Sequence, residues 1–350
     1  MKNRTYSVGV VLVLFAVLLG GCATGEQQAA VPPVAEQPAP EPPAPEPPAV
    51  EMAPEAKAHL DELLELMEKH SINRQKIDWA ALRAKVYSMA AGAKTVTDTR
   101  PAIGEALRLL DDKHSAYMPK GGGRLSFARC TSEPGRLGPP VSPEVPPSVG
   151  YIRVFGFSGT VTQATEFAGS ILQAIKDADR QGVTGWLVDL RLNTGGNMWP
   201  MLMGLSPLLG EGPAGYLINS YGEKMGWKLQ DGVVYIGEKP IDPNQATYRL
   251  QNPPQRVAVL TGPHTTSSGE AVAITFRGLA NTRSFGTPTC GLSTGNGNFP
   301  LSDGGMLVLT SSVMADRTGK PYGGPVIPDE VVEDPDELAQ RVIEWLTTGN

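Results

Sequence analysis

Between Tyr151 and Leu279 the chain alternates short apolar runs of strand length with stretches of helical period, and this leaves few folds open. Tyr151 to Phe155 reads as a strand, and Phe167, Ile171, Ile175 and Ala178 mark one face of an amphipathic helix. Trp186-Leu187-Val188-Asp189-Leu190 is a short apolar run of the buried-strand type. The turn Asn193-Thr194-Gly195-Gly196 leads from it into a helix from about Met198 to Leu209. Val257 to Leu260 forms another buried strand, broken by Gly262-Pro263, and Gly269 to Leu279 reads as the next helix. The chain returns to β structure in Met306 to Val313 and closes with a helix from Asp336 to Trp345, capped after Thr348 by Gly349. Such alternation means α/β layering around a largely parallel sheet.

Three helical stripes come before this region: Leu60, Leu63, Leu64 and Met67; Trp79, Leu82, Val86 and Met89; Ile103, Ala106, Leu107 and Leu110. Pro101 falls in the first turn of the third helix, after the capping candidates Asp98 and Thr99. A small helical bundle over residues 55–118 follows from these stripes, with a Gly- and Pro-rich connection over 119–149 and the α/β domain over 150–350. A connection of that length is a lid, a linker or an unrecognised element.

The N-terminus is of another kind. Lys2 and Arg4 precede an apolar stretch from Val10 to Leu19, too short to span a bilayer, which needs roughly twenty residues. It fits a secretory signal over residues 1–21, and Leu19-Gly20-Gly21-Cys22 resembles a bacterial lipobox in which Cys22 receives lipid. Ala23 follows, so in a Gram-negative cell that resemblance implies sorting to the outer membrane, facing the periplasm or the surface. Residues 22–54 form a tether: from Val31 to Pro54 there are ten prolines, four glutamates and no basic residue. Proline removes backbone donors and fixes φ, so the tract favours extended polyproline II at roughly 3.1 Å per residue. After a lipobox it reads as a stalk that holds a domain off a membrane. Length alone suggests about two domains, but the tether inflates that figure and leaves roughly 295 residues for one core with a helical appendage.

The formal net charge is -6, and no basic block follows the leader, which argues against a nucleic-acid partner. Four histidines and three cysteines, with neither an HExxH nor a CxxC, leave no expected metal site, and no organic cofactor is implied. Cys130 and Cys290 would lie in an oxidising compartment, where one disulfide is permitted, although the sequence does not show them to be close. Oligomeric state is not legible.

Chemistry at an α/β sheet gathers just past the strand carboxyl ends. The Asn193–Gly196 turn could be a phosphate cradle, an oxyanion hole or a plain turn; lacking G-x-G-x-x-G and a following lysine, it does not read as a nucleotide site. Thr265-Thr266-Ser267-Ser268-Gly269-Glu270 sets serines at a helix mouth, where unpaired amides stabilise negative charge. Those serines could equally be helix caps. A nucleophilic serine needs a base. His59 and His70 lie on or at the end of the first helix and are expected to be exposed, His264 shares the serine turn, and His114 follows Asp111-Asp112-Lys113.

Four segments in order resemble the tail-specific, or C-terminal processing, serine peptidases. They are Leu110 to Ser115, Asp189 to Gly196, Thr265 to Glu270 and Gly286-Thr287-Pro288-Thr289-Cys290-Gly291, with a closing Gly323-Gly324-Pro325-Val326-Ile327-Pro328-Asp329. The resemblance spans about Asp78 to Trp345 and implies a crotonase/ClpP-like α/β core. In the best-known branch a lysine is the base, but Leu292 stands at that position and cannot accept a proton. The chain is more similar to the histidine-using branch of the tricorn core and the retinoid-binding-protein-like domains. That branch implies Ser267 as nucleophile, His114 as base, and oxyanion donors from the Gly195 and Gly196 turn and the Ser268 amide. Lys113 stands where tricorn has a relay serine, and the orienting acid stays open among Glu270, Asp329 and Glu330. The stretch up to Ser148 is too short for a PDZ module. The expectation is a lipid-anchored envelope peptidase acting on peptide or protein substrate, set against a non-catalytic peptide- or lipid-binding lipoprotein on the same scaffold.

Overall fold

The structure is a computed structural model describing residues 51–128, 130 and 143–348. The signal segment, Cys22, most of the tether, part of the 119–149 connection and the Gly349 cap lie outside the described residues. Helices α1 (Pro54–His70), α2 (Trp79–Met89) and α3 (Arg100–Leu109) come first, then strands β1 (Ala116–Met118) and β2 (Leu125–Ser126). Next are β3 (Val149–Arg153), α4 (Val161–Arg180), β4 (Gly185–Asp189) and α5 (Met198–Leu209). An antiparallel arm follows: β5 (Gly212–Asn219), β6 (Lys224–Gln230), β7 (Val233–Ile236) and β8 (Lys239–Pro240). The chain ends with β9 (Arg256–Thr261), α6 (Ser268–Thr275), β10 (Thr282–Gly286), β11 (Thr294–Pro300), β12 (Met306–Asp316), β13 (Glu330–Val331) and α7 (Pro335–Thr348).

The expected parallel sheet is present as five strands in the order β13-β10-β9-β4-β3, every neighbour parallel. Its central strands β4 and β9 are buried on both faces, as parallel strands covered by helices must be. Trp186 and Val188 of β4 face α4, α5 and α6, whereas Leu187 faces Leu338, Val342 and Trp345 of α7. Thr160 and Gln163 start α4 with a reciprocal capping box.

A second, antiparallel sheet was not expected from the strand–helix alternation. Its path is β2-β1-β12-β5-β6-β7-β8, with β11 also on β12. Ala116–Met118, assigned above to the end of the helical bundle, is a strand of this sheet paired with Met306–Val308. The helices are not a detached bundle. Leu60, Leu63, Ile103 and Leu110 share one core with Leu301, Leu307 and Leu309 around β12. Two side-chain expectations change here. Met89 is exposed, and His59 is buried against Tyr117, whose hydroxyl lies 3.3 Å from its Nε2.

The carboxyl ends of β4, β9 and β10 lie side by side: Asp189 pairs with Leu260, and Gly286 with Thr261. Three of the sequence segments singled out above therefore leave the sheet at one edge, and the site is built there.

Candidate active site

After β4, buried Asp189 holds the turn. It accepts hydrogen bonds from Arg191 and Arg153 and from the Tyr151 hydroxyl. Burial opposes its ionisation, but Arg191 and Tyr151 hold the carboxyl below the usual carboxylate range. Asn193, fully buried, then organises both turns: its Oδ1 accepts the Gly195 N–H at 3.0 Å and its carbonyl accepts the Thr266 N–H at 2.9 Å. Gly195 has φ +90, and a Cβ there would stand 2.7 Å from the Thr266 carbonyl oxygen and 3.0 Å from the Ser267 Cβ. The glycine turn thus lies directly against the serine turn. Gly195 serves this close approach, but its amide is committed to Asn193 and is not an open oxyanion donor. Gly196 takes up the segment after β3, with Phe157 bridging it, and its carbonyl accepts the Ser268 hydroxyl. Its own N–H makes no hydrogen bond among the described residues.

Ser267 precedes α6 with φ 52 and ψ -112, a left-handed backbone that an L-residue adopts only under constraint. The constraint is Glu270. Fully buried, its carboxylate accepts the Ser267 N–H at 2.8 Å, the Gly291 N–H at 2.9 Å, the Leu292 N–H at 2.8 Å and the Thr289 hydroxyl. Burial raises this carboxyl to about 7, against four hydrogen bonds that favour the ionised form. Ser268 is the first helical residue, so its N–H has no intrahelical acceptor.

His114 is buried, its backbone N–H capped by Asp112 at 2.9 Å and its Nδ1 2.7 Å from the Thr294 hydroxyl. Burial lowers the imidazole to about 4, partly offset by Asp112 and reinforced by Arg124. Thr294 lies two residues beyond Leu292, so one short segment holds His114 directly at one end and, at the other, donates to the Glu270 carboxylate that also accepts the Ser267 N–H. Among the described residues no hydrogen bond joins His114 to Ser267.

None of the three candidate acids touches the imidazole. Glu270 clamps the Ser267 turn, Asp329 pairs with Arg277 and holds Ser284, and Glu330 pairs with Arg283. Thr294, absent from the sequence candidates, is the imidazole's partner, and Asn193 and Thr289 were also missed as supports. The other histidines stand apart: His59 on Tyr117, His70 stacked on Phe299, and His264 exposed.

Cys130 and Cys290, left open by the sequence, form a disulfide across 160 residues of chain. Cys290 is buried next to Gly291, and its N–H donates to the Thr265 carbonyl at 2.9 Å. Chain entropy assigns a loop of that length about 5 kcal/mol. Reduction should therefore lower the thermal midpoint by on the order of 10 °C, read by calorimetry with and without reductant. An unmoved midpoint would contradict this.

Comparisons with known proteins agree with the geometry. The chain is 26% identical over 297 residues to the nisin-resistance protein of Lactococcus lactis subsp. lactis, covering 84% of this chain and 87% of the relative. Among solved structures it is similar to a lipoprotein from Streptococcus agalactiae, with TM-score 0.66 and 24% identity over 83% of this chain and 97% of that one. The photosystem II D1 C-terminal processing protease shares the fold with TM-score 0.55 and 16% identity, covering 83% and 97% of the two chains. The family model described as Peptidase family S41 matches residues 148–332, more than half of the sequence and all three segments at the sheet edge. The chain belongs to peptidase family S41.

Proposed function

We propose that the chain is a lipid-anchored serine peptidase of the cell envelope, with Ser267 as nucleophile and His114 as general base. Peptidase family membership supports the class, and the lipobox-like Leu19–Cys22 segment supports the location, in keeping with the similar Streptococcus chain named a lipoprotein. The observation that carries the assignment is the left-handed Ser267 at the mouth of α6, pressed against the Gly195–Gly196 turn. With Nδ1 donating to Thr294, His114 keeps a lone pair on Nε2. The Ser267 hydroxyl proton passes to that nitrogen as Oγ attacks the peptide carbonyl, and the imidazolium returns it to the leaving amine. Water then frees the acyl group by the same route. The Gly196 and Ser268 amides, rather than that of Gly195, are aimed at the oxyanion. The contact between His114 and Ser267 closes with substrate, as catalytic hydrogen bonds commonly do. Cys22 carries the lipid, and in a Gram-negative cell the protein would be held at the outer membrane.

The name of the Lactococcus relative makes nisin the first substrate to test. Membranes bearing the full chain should convert nisin to products heavier in total by one water, as read by mass spectrometry, and the Ser267→Ala protein should form none. Equal product from Ser267→Ala would sink the assignment. Saturable binding without turnover in the unaltered protein would favour the binding-protein reading, for which it speaks that among the described residues the His114 imidazole pairs with Thr294 and with no carboxylate.

A further inference from the structure

β11 leaves one edge open beside the site. It pairs with β12 alone, and among the described residues no strand lies along its other side. Which backbone groups face that side follows from the hairpin. The Leu301 N–H donates to the Gly305 carbonyl, so residues 301, 299 and 297 exchange bonds with β12, and 300, 298 and 296 point away. Thr310, opposite Asn296, obeys the same parity: its N–H donates to Ser115 Oγ and its carbonyl accepts the Ile72 N–H, both on the far side of β12. The register shift leaves Ser311 of β12 unopposed while β11 runs on without interruption. Met314 donates to the Ser293 carbonyl, which places Thr294 among the outward residues too.

The outward N–H and C=O groups therefore belong to Thr294, Asn296 and Asn298, and Pro300, which has no N–H, ends the row. Asn296 ties its side chain to Thr310 and to the His114 carbonyl, leaving its main chain outward. Open edges are normally guarded by charges, bulges or proline because they recruit other strands. β11 reads Thr-Gly-Asn-Gly-Asn-Phe-Pro, with no charge before its terminal proline, and both Asn298 and Pro300 are exposed. The row starts at Thr294, the residue that holds His114, two positions from the Leu292 amide that shares Glu270 with Ser267.

We propose that the free edge of β11, through the backbone of Thr294, Asn296 and Asn298, binds the substrate as an added β-strand. The occupant is an extended segment of peptide, recognised through its main chain and running from the Ser267–His114 site toward Pro300. This rests on the peptidase reading for its occupant. It implies that unfolded or loosely structured peptides are taken in preference to helical or folded ones, with little demand on their side chains.

The test uses the full chain carrying Ser267→Ala and unfolded casein as probe. Saturating casein should slow amide exchange at Asn296 and Asn298 at least tenfold and leave Gly297, already bonded to β12, unchanged. In the active protein, Asn298→Pro removes one outward donor without touching the β12 ladder. It should raise KM for casein about tenfold with the thermal midpoint held, a split that a folding defect does not produce. No protection at the two asparagine amides would overturn the proposal, whether casein binds elsewhere or not at all. If the unaltered protein cleaves nothing yet casein protects these amides, the peptidase reading fails and the strand site stands.

Discussion

Replacing Glu270 with alanine should lower the thermal midpoint by on the order of 10 °C and cut peptide turnover at least a hundredfold. Three backbone N–H groups and the Thr289 hydroxyl converge on this one carboxylate. An unsatisfied buried donor costs about 1–3 kcal/mol. Part of that loss is returned because the carboxyl no longer has to be buried, a cost visible in its rise to about 7. The sign of its pH linkage follows. The folded form holds its proton more tightly than the unfolded chain, so this group favours folding at low pH, and that contribution is lost as pH rises through about 7. The rate moves the other way. Only the ionised carboxylate offers both oxygens to four donors, so turnover should fall as pH drops through about 7. Loss of Glu270 should abolish this step, checked by kcat/KM profiles of the two proteins.

His114→Ala should reduce kcat by on the order of a thousandfold, the share usually carried by a positioned base. The imidazole is lowered to about 4, so it is neutral and ready to accept a proton throughout the ordinary range. Its linkage is opposite to that of Glu270. The folded form binds the proton less tightly, so its contribution to stability is present above the unfolded value of 6.5 and is lost as pH falls through about 4. In the rate profile His114 adds a second fall near 4, below the one from Glu270. The variant should lose the fall near 4, and a profile unchanged in shape and height would remove His114 from the mechanism.

Trp186 to Asp189 could be read from the sequence because a parallel strand buried on both faces needs an unbroken apolar run. The Asn193–Gly196 and Thr265–Glu270 turns were legible for the same reason, each following such a run, whereas Gly286–Gly291 follows Thr282-Arg283-Ser284-Phe285, which is no apolar run, and stood out only through the family resemblance. The antiparallel arm was not legible, since β5 and β6 are half-exposed and interrupted by glycines that make room for neighbours. A Cβ at Gly215 would enter the Trp227 ring. His59 gave no sign of burial because its partners, Tyr117 and Asp303, are remote in sequence. Ser267 and His114 could be proposed from motif order, but the support of each depends on tertiary contacts. Thr294 lies 180 residues from His114 in a strand without an apolar run. Likewise Glu270 is one of three plausible acids in the sequence, and its four donors come from two separate turns.

The central claim is that Ser267 is a nucleophile activated by His114. Covalent labelling of the full-length protein by a fluorophosphonate, with the adduct located by peptide mass spectrometry, tests it most directly. The predicted result is a single adduct on Ser267, absent from Ser267→Ala and formed on the order of a thousandfold more slowly in His114→Ala. No adduct on the folded protein, or an adduct on Ser268 in place of Ser267, would contradict it.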